Sequence, residues 1–501
     1  MRPVYAQIFM SLLKNTVYAS LAGLVVSGGR FALTVVLARK LNVGDFGYFA
    51  YVQWLLDTLY LCLSFGFGAL ASRYLAQFAS QPALLHGFER RLSLAYLIIP
   101  LLVMAAFYVA HLWFATTRDG VELVLATGWA GANSLVVMQT AALTGYQRWR
   151  GILVQNLAGV ATLLVGAFSL PAAGAGCAQA FAVMLTGSVG AAAAGAYLVR
   201  AAGGTAVASK VRDTPNAVAQ VDWRQVRSYA LNTWAAALLA SFVWSRGEVP
   251  VLKWLQGDVV VGRYAAALAI WGGAVQFVML ASSAIAPHIA QCWGRGDVSG
   301  AMRVAARVLN IQLLLASAGS LLVILFGPQL LQLVFSSDYG SSAPVLRWLF
   351  VGLFALSVSG YSYLLQISTN GAFNRNALVL AAIVLYLSAF VFISAFGAVG
   401  AGMSRAASLF AIFLLTIWFA GKVWQFAGIP MKNIAYALGL VLSVMVLADT
   451  VLADSGTATK TAVFCAAIGL LAMVKEPDGR PTLVTLWNKL LRRDSTSIRN
   501  T

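Results

Sequence analysis

The chain of 501 residues is 60% hydrophobic and 10% charged, with a mean hydropathy of +0.81, whereas soluble domains carry about 25% charged residues. That balance excludes a soluble globular protein: apolar stretches recur from end to end and leave no room for a soluble domain between them. The net charge of +18 follows from Lys and Arg gathered in cytoplasmic loops, so it does not point to nucleic acid.

A membrane helix needs about 20 mostly apolar residues, and about fourteen segments qualify. In chain order they are 16–38, 46–70, 92–114, 122–146, 152–170, 175–199, 228–252, 260–287, 303–326, 345–370, 376–396, 398–421, 433–452 and 459–474. The first follows Arg2 and Lys14 without a short apolar core and cleavage site, so it reads as an uncleaved helix rather than a signal peptide. The expected fold is an all-α polytopic membrane protein. Its lobes are a six-helix N-terminal one over 1–200 and a six-helix C-terminal one over 228–425, joined by a polar cytoplasmic linker over 201–227. Two additional transmembrane helices follow over 426–475, then a basic tail over 476–501. With the N-terminus inside, roughly 24 of the 34 Lys and Arg fall in alternate loops, as the positive-inside rule requires. Both termini are then cytoplasmic. Arg30, Arg246 and Arg405 are left over, within spans.

An internal repeat supports the two lobes. GYQRWRGILVQNLAGVATLLVGAFSLPAAGAGCAQA, from Gly145, aligns without a gap with GAFNRNALVLAAIVLYLSAFVFISAFGAVGAGMSRA, from Gly371. LNVGDFGYFA, from Leu41, aligns with LQGDVVVGRYA, from Leu255, with one insertion, so that Gly47 meets Gly262 and Ala50 meets Ala265. The repeat covers six helices. An even number gives both copies the same orientation, with an axis along the membrane normal and a substrate site where the halves meet.

ARKLNVGDFGYFAYVQWLLDTLYLCLSFGFGALASRYLAQ, from Ala38, resembles the first hairpin of polysaccharide exporters. APHIAQCWGRGD, from Ala286, resembles the end of their eighth helix, and NGAFNRN and FGAVGAG their tenth to twelfth helices. The group is the multidrug/oligosaccharidyl-lipid/polysaccharide (MOP) export superfamily, and within it the Wzx-type flippases. The resemblance implies two six-helix lobes around a central cavity, alternating access, and an undecaprenyl-diphosphate cargo bearing a short sugar unit. It also implies a bacterial inner-membrane protein that is not an enzyme, and partners among polysaccharide polymerases and chain-length machinery.

Charged residues at bilayer depth are costly and face a bundle interior or a wet cavity. Arg30 lies roughly 13 Å from the outer end of the first span, and Asp57 roughly 16 Å into the second from the same side. Arg246 falls within one residue of the repeat equivalent of Arg30, and Glu248 follows. Arg30 and Arg246 are expected to face each other across the cavity and hold the diphosphate, because guanidinium suits phosphate bidentately. Arg405 is a third candidate contact. Asp57 and Glu248 are expected to pair with the arginines or to take a coupling H+ or Na+. Asn133, Gln139, Asn232, Gln276, Asn310 and Gln366 are candidates to line the cavity, and Trp54, Trp234, Trp244 and Trp271 to stack on sugar rings. Cys62, Cys177, Cys292 and Cys465 form no C-x-x-C pair, and His86, His111 and His288 are scattered, so no metal site is expected. No G-x-x-x-x-G-K-[ST] occurs, and GFGALA at Gly66 closes a membrane helix instead of following a strand, so no nucleotide cofactor is expected. The alternatives are a cation-coupled multidrug antiporter of the same superfamily, which would favour carboxylates over arginines, and a lipid II flippase. A membrane polymerase or ligase would need a large external loop, and the longest loop here, from Val207, is read as cytoplasmic.

Overall fold

The computed structural model describes residues 2–78, 81–114, 119–171, 174–207, 223–283, 286–369, 371–424, 429–452 and 455–471. Most of the expected linker and the whole of the expected tail lie outside these residues. Among the described residues every regular element is helical. The α-helices are α1 (Arg2–Lys40), α2 (Val43–Leu63), α3 (Phe67–Phe78), α4 (Pro82–Phe114), α5 (Gly120–Gly145), α6 (Trp149–Ser169), α7 (Cys177–Val207), α8 (Trp223–Trp244), α9 (Val249–Gln256), α10 (Asp258–Ser283), α11 (Ala286–Gly294), α12 (Val298–Val334), α13 (Ala343–Phe354), α14 (Ser359–Ser368), α15 (Ala372–Phe396), α16 (Ala398–Trp424), α17 (Met431–Thr450) and α18 (Thr457–Leu471). Short 3₁₀ turns at Ser337–Ser342 and Ala355–Val358 flank α13.

Among the described residues, 11 helices are long and apolar enough to cross a membrane, or up to 12 if α2 and α3, bent by 51° at their junction, count as one span. The chain is a multi-pass membrane protein. The seventh expected span is not one helix but two, α8 and α9, separated by a turn at 245–248. The tenth is α13 and α14 with the 3₁₀ turn Ala355–Val358 between them. The fourteenth is α18, which reaches the last described residue, Leu471.

The chain divides into two compact units, Met1–Ser241 and Phe242–Thr501. The division falls inside α8, later than the linker expected from composition. In the first unit α7 packs on α5 and α6, and α6 packs on α1. Small residues bring α6 and α7 together: a Cβ on Gly159 would meet that of Ala191 at 2.8 Å, and one on Gly187 would meet Leu163 at 2.8 Å. Close approach through small residues is how membrane helices gain packing energy where lipid supplies no hydrophobic drive. Phe49 of α2, Trp129 of α5 and Phe181 of α7 form a buried stack, with centroids 5.6–6.1 Å apart. In the second unit the long α12 is central, buried against α13, α14 and α17. Its Asn310 accepts a hydrogen bond from Asn433 Nδ2 of α17 at 2.9 Å.

Capping residues start the helices where the sequence supplies them. Asn42 Oδ1 accepts from the Asp45 N–H at 2.8 Å, Asp119 Oδ1 from Glu122 at 2.8 Å and Asp297 Oδ1 from Gly300 at 2.7 Å. The Gly300 N–H bond also holds the Asp297 carboxyl below the usual carboxylate range. At the α2–α3 bend, Gly66 has φ +76°, and a Cβ there would meet the Ala230 carbonyl oxygen at 2.3 Å. Gly174 has φ +80° with nothing within 4 Å of its would-be Cβ. Gly174→Ala therefore carries only the left-handed backbone penalty, about 1 kcal/mol, whereas Gly66→Ala adds a backbone clash. Thermal unfolding of the solubilised protein will rank Gly66→Ala clearly below Gly174→Ala; equal midpoints would refute the close approach of α8 to the bend.

Candidate functional site at a broken membrane helix

The sequence Ser245-Arg246-Gly247-Glu248-Val249-Pro250 ends one helix and starts another. Pro250 has no N–H to give the carbonyl one turn back, and its fixed φ suits the first turn of a new helix. The Val249 N–H bonds Arg246 O at 3.1 Å, and α9 continues from the Leu252 N–H on Glu248 O at 2.9 Å. Gly247 permits a tight turn, since a Cβ there would meet Phe242 O at 2.2 Å. A broken helix leaves carbonyls at its C-terminal end without partners, and in an apolar medium each is costly.

Arg405 of α16 supplies those partners. Its Nη1 donates to Val243 O at 3.4 Å and its Nη2 to Ser245 O at 2.5 Å. The same guanidinium grips Glu248: Nη2 donates to both carboxylate oxygens at 2.8 Å, and Nε to Oε1 at 3.0 Å. Both side chains are 0% exposed. The Tyr264 hydroxyl of α10 donates to Glu248 Oε1, and the Trp271 ring lies 5.1 Å from the Arg405 Cζ. A cation at the C-terminal end of α8 also meets the negative end of the helix dipole. The cluster thus ties α8, α9, α10 and α16 together through one charge-neutral, hydrogen-bonded pair.

The sequence-predicted residues distribute as follows. Arg405 does not face a cavity: it is buried against Glu248, which corrects the expectation that it contacts substrate directly in this arrangement. The partner of Glu248 is Arg405, on a helix far along the chain. Arg30 is exposed on α1, and among the described residues it forms no ion pair with Asp57, which is exposed on α2. Arg246 is half-buried in the turn. Gln139 is buried and bonded to Ala192 O and Gln155, and Asn310 is buried against Asn433, so both serve packing between helices. Asn133 is half-buried, and Asn232 and Gln276 are exposed. Trp234 Nε1 donates to Leu61 O at 2.8 Å. Gln366 and Trp244 share a cavity of about 420 Å³ within the second unit, together with Ser359, Ser362, Tyr363 and Asn374. Tyr264 and the helix break escaped the sequence reading. The signals for them were present: Gly and Pro three residues apart inside an apolar run mark a break, and Tyr264 replaces Phe49 in the aligned repeat.

Removing one partner of a buried pair leaves an uncompensated charge, at a cost of about 3–5 kcal/mol. Arg405→Met will lower the unfolding midpoint sharply, and Glu248→Leu on that background will recover most of the loss. The recovery will be incomplete, because the Val243 and Ser245 carbonyls remain without donors. Additive losses in the double variant would show that the two side chains do not act as a pair.

Residues 12–293, more than half of the chain, match the family described as polysaccharide biosynthesis protein. No curated protein sequence matches. Among solved structures, the chain is similar to the lipid II flippase MurJ in an inward closed conformation, with a TM-score of 0.63 at 11% identity over 91% of this chain and 98% of that one. It is also similar to an inward-facing multidrug resistance MATE family transporter of the MOP superfamily, with a TM-score of 0.66 at 15% identity over 82% and 98% of the two chains. A MOP superfamily transporter from Pyrococcus furiosus, described by the reverse polarity of its binding pocket, gives a TM-score of 0.56 at 14% identity over 85% and 95%. With the broken helix, the repeated helix order and this family match in hand, the chain belongs to the polysaccharide biosynthesis protein family and has the fold of the MOP superfamily.

Proposed function

We propose that the protein is a Wzx-type flippase. It moves undecaprenyl-diphosphate-linked oligosaccharide repeat units from the cytoplasmic to the outer leaflet by alternating access, for exopolysaccharide, capsule or O-antigen assembly. The observation that carries this reading is the distribution of intramembrane charge. Arg30 is exposed without an ion pair to Asp57, while the buried carboxylate Glu248 is taken up by Arg405. The surplus is cationic, and its complement is an anion. A cationic drug would find the deepest carboxylate already occupied.

In this reading Arg30 and Arg246 contact the diphosphate, and Arg405 acts behind them by holding the turn that carries Arg246. Gln366, Tyr363 and Asn374 offer hydroxyl- and amide-compatible groups to a sugar. The family match supports a role in sugar-polymer assembly, and the name of the MurJ neighbour supports a lipid-linked cargo. A membrane potential negative inside favours outward movement of a negative head group by about 2.3 kcal/mol per charge per 100 mV. That drive vanishes if an equal positive charge moves with the cargo, and exposed Asp57 is the candidate carrier of a coupling H+ or Na+. The protein resides in the bacterial inner membrane with both termini inside and passes its cargo to a polymerase and chain-length machinery. It makes and breaks no covalent bond and uses no cofactor.

Deleting the gene will accumulate diphosphate-linked oligosaccharide on the inner leaflet, read by lipid extraction and a membrane-impermeant glycan probe. Wild type will restore the outward flux, whereas Arg30→Ala and Arg246→Ala will each reduce it about tenfold or more, the value of a lost charge-assisted contact. No accumulation, with altered sensitivity to cationic compounds, would replace this reading with the antiporter. Accumulation of lipid II alone would replace it with a lipid II flippase.

A further inference from the structure

One end of the first unit holds an aromatic cluster with two guanidinium groups laid over its rim. Tyr74 and Phe78 of α3, Phe88 of α4, and Trp223 and Tyr229 of α8 form a connected set with centroids 5.6–6.2 Å apart. Tyr74, Phe78 and Phe88 are buried. Arg73 Cζ lies 4.2 Å from the Tyr229 ring centroid and 5.5 Å from that of Tyr74. Arg91 Cζ lies 4.1 Å from the Trp223 centroid. Both arginines are exposed, and among the described residues neither is in an ion pair. Among the described residues, the carboxylate of Glu89, on the same turn of α4, accepts the Tyr146 hydroxyl at 2.5 Å. Arg90 of α4 and Arg224 and Arg227 of α8 are exposed as well.

Basic residues at the ends of membrane helices are general, and so are interfacial aromatic residues. Neither generality accounts for this arrangement. Interfacial rings ordinarily meet the lipid, whereas here three of them are packed inward on one another. Terminal arginines ordinarily snorkel on free stems, whereas these two are stacked on rings. A stacked guanidinium uses its face for the ring and leaves its edge N–H groups for planar, bidentate acceptors. Stacking also removes rotamer freedom before any ligand arrives, which lowers the cost of binding. Glu89, Arg90 and Arg91 directly precede the apolar run of α4 that starts at Leu92, so Arg91 stands at the edge of the apolar stretch, where basic side chains meet headgroups.

We propose that Arg73 and Arg91 form a binding site for the phosphate of an anionic lipid headgroup, between α3, α4 and the start of α8 and separate from the helix break. The phosphate belongs either to bulk phospholipid or to a polyprenyl-diphosphate lipid, and the two sources are distinguished by competition.

The test is native mass spectrometry of the purified full-length protein titrated with phosphatidylglycerol, phosphatidylcholine and undecaprenyl diphosphate. The wild type will retain phosphatidylglycerol in preference to phosphatidylcholine. Near a membrane surface each basic side chain is worth roughly a factor of five, so Arg73→Gln/Arg91→Gln will lose about thirtyfold of that preference. Arg375→Gln, which removes an exposed charge on α15, will lose none. Tyr229→Leu keeps both charges but removes the platform under Arg73, and it will weaken binding, a result that charge alone does not give. Displacement of phosphatidylglycerol by undecaprenyl diphosphate in the wild type but not in the double variant identifies the diphosphate lipid as the ligand. No displacement identifies resident phospholipid. Equal retention of the two phospholipids by the wild type, or an unchanged preference in a double variant of normal helicity and size, would overturn the proposal.

Discussion

A single guanidinium makes the broken seventh span compatible with a membrane. Three features of the second unit are each unfavourable alone: a buried arginine, a buried glutamate and a helix interrupted within an apolar run, so that its terminal carbonyls lose their ladder partners. Each costs several kcal/mol in an apolar surrounding. Placed together they satisfy one another. The fork of Arg405 has five N–H donors and reaches the carboxylate and two carbonyls at once. The Tyr264 hydroxyl adds a further donor to the carboxylate. A lysine has no planar fork and could not span the same acceptors. The break in α8–α9 therefore depends on α16, more than 150 residues later in the chain.

The internal repeat sets this site in relief. In the aligned copies Phe49 stands where Tyr264 stands, and the two residues occupy α2 and α10, the helices that follow the first span of each unit. Phe49 sits in a stack with Trp129 and Phe181, held by ring contacts. Tyr264 carries one more oxygen and serves an ion pair. α1 runs unbroken through Arg30, whereas its counterpart stops at Trp244 and resumes at Val249. At this aligned position the two copies of one helix plan have thus taken different solutions, ring packing in the first unit and an ion pair in the second.

Much of the fold could be read from the sequence, because a bilayer imposes one length scale and one polarity rule. The spans over 122–146, 152–170, 376–396 and 398–421 match α5, α6, α15 and α16 to within a few residues. The charged residues worth attention were also visible, since Arg30, Arg246, Glu248 and Arg405 stand out from an apolar background. Their pairing was not visible. Hydropathy averaged over a span registers neither a four-residue turn nor the face of a helix, so it does not separate Arg405, enclosed against Glu248, from Arg30, exposed on α1. Gln139 and Asn310 illustrate the same limit: polar residues in apolar helices can line a cavity or join two helices, and only a neighbour such as Asn433 decides which.

The buried pair also fixes the electrostatic sign of the turn it supports. Arg246 and Glu248 are two residues apart, and left to themselves they would present a neutral dipole. Arg405 joins them, so the three formal charges sum to one net positive. A neutral pair acts over short range, because its opposite charges cancel with distance, whereas an uncompensated charge in a poorly screened interior acts much further. Arg405 is enclosed and presents no surface of its own. Its contribution to the charge of the turn is indirect: by absorbing the charge of Glu248, it leaves the turn and its enclosed partner together one net positive charge.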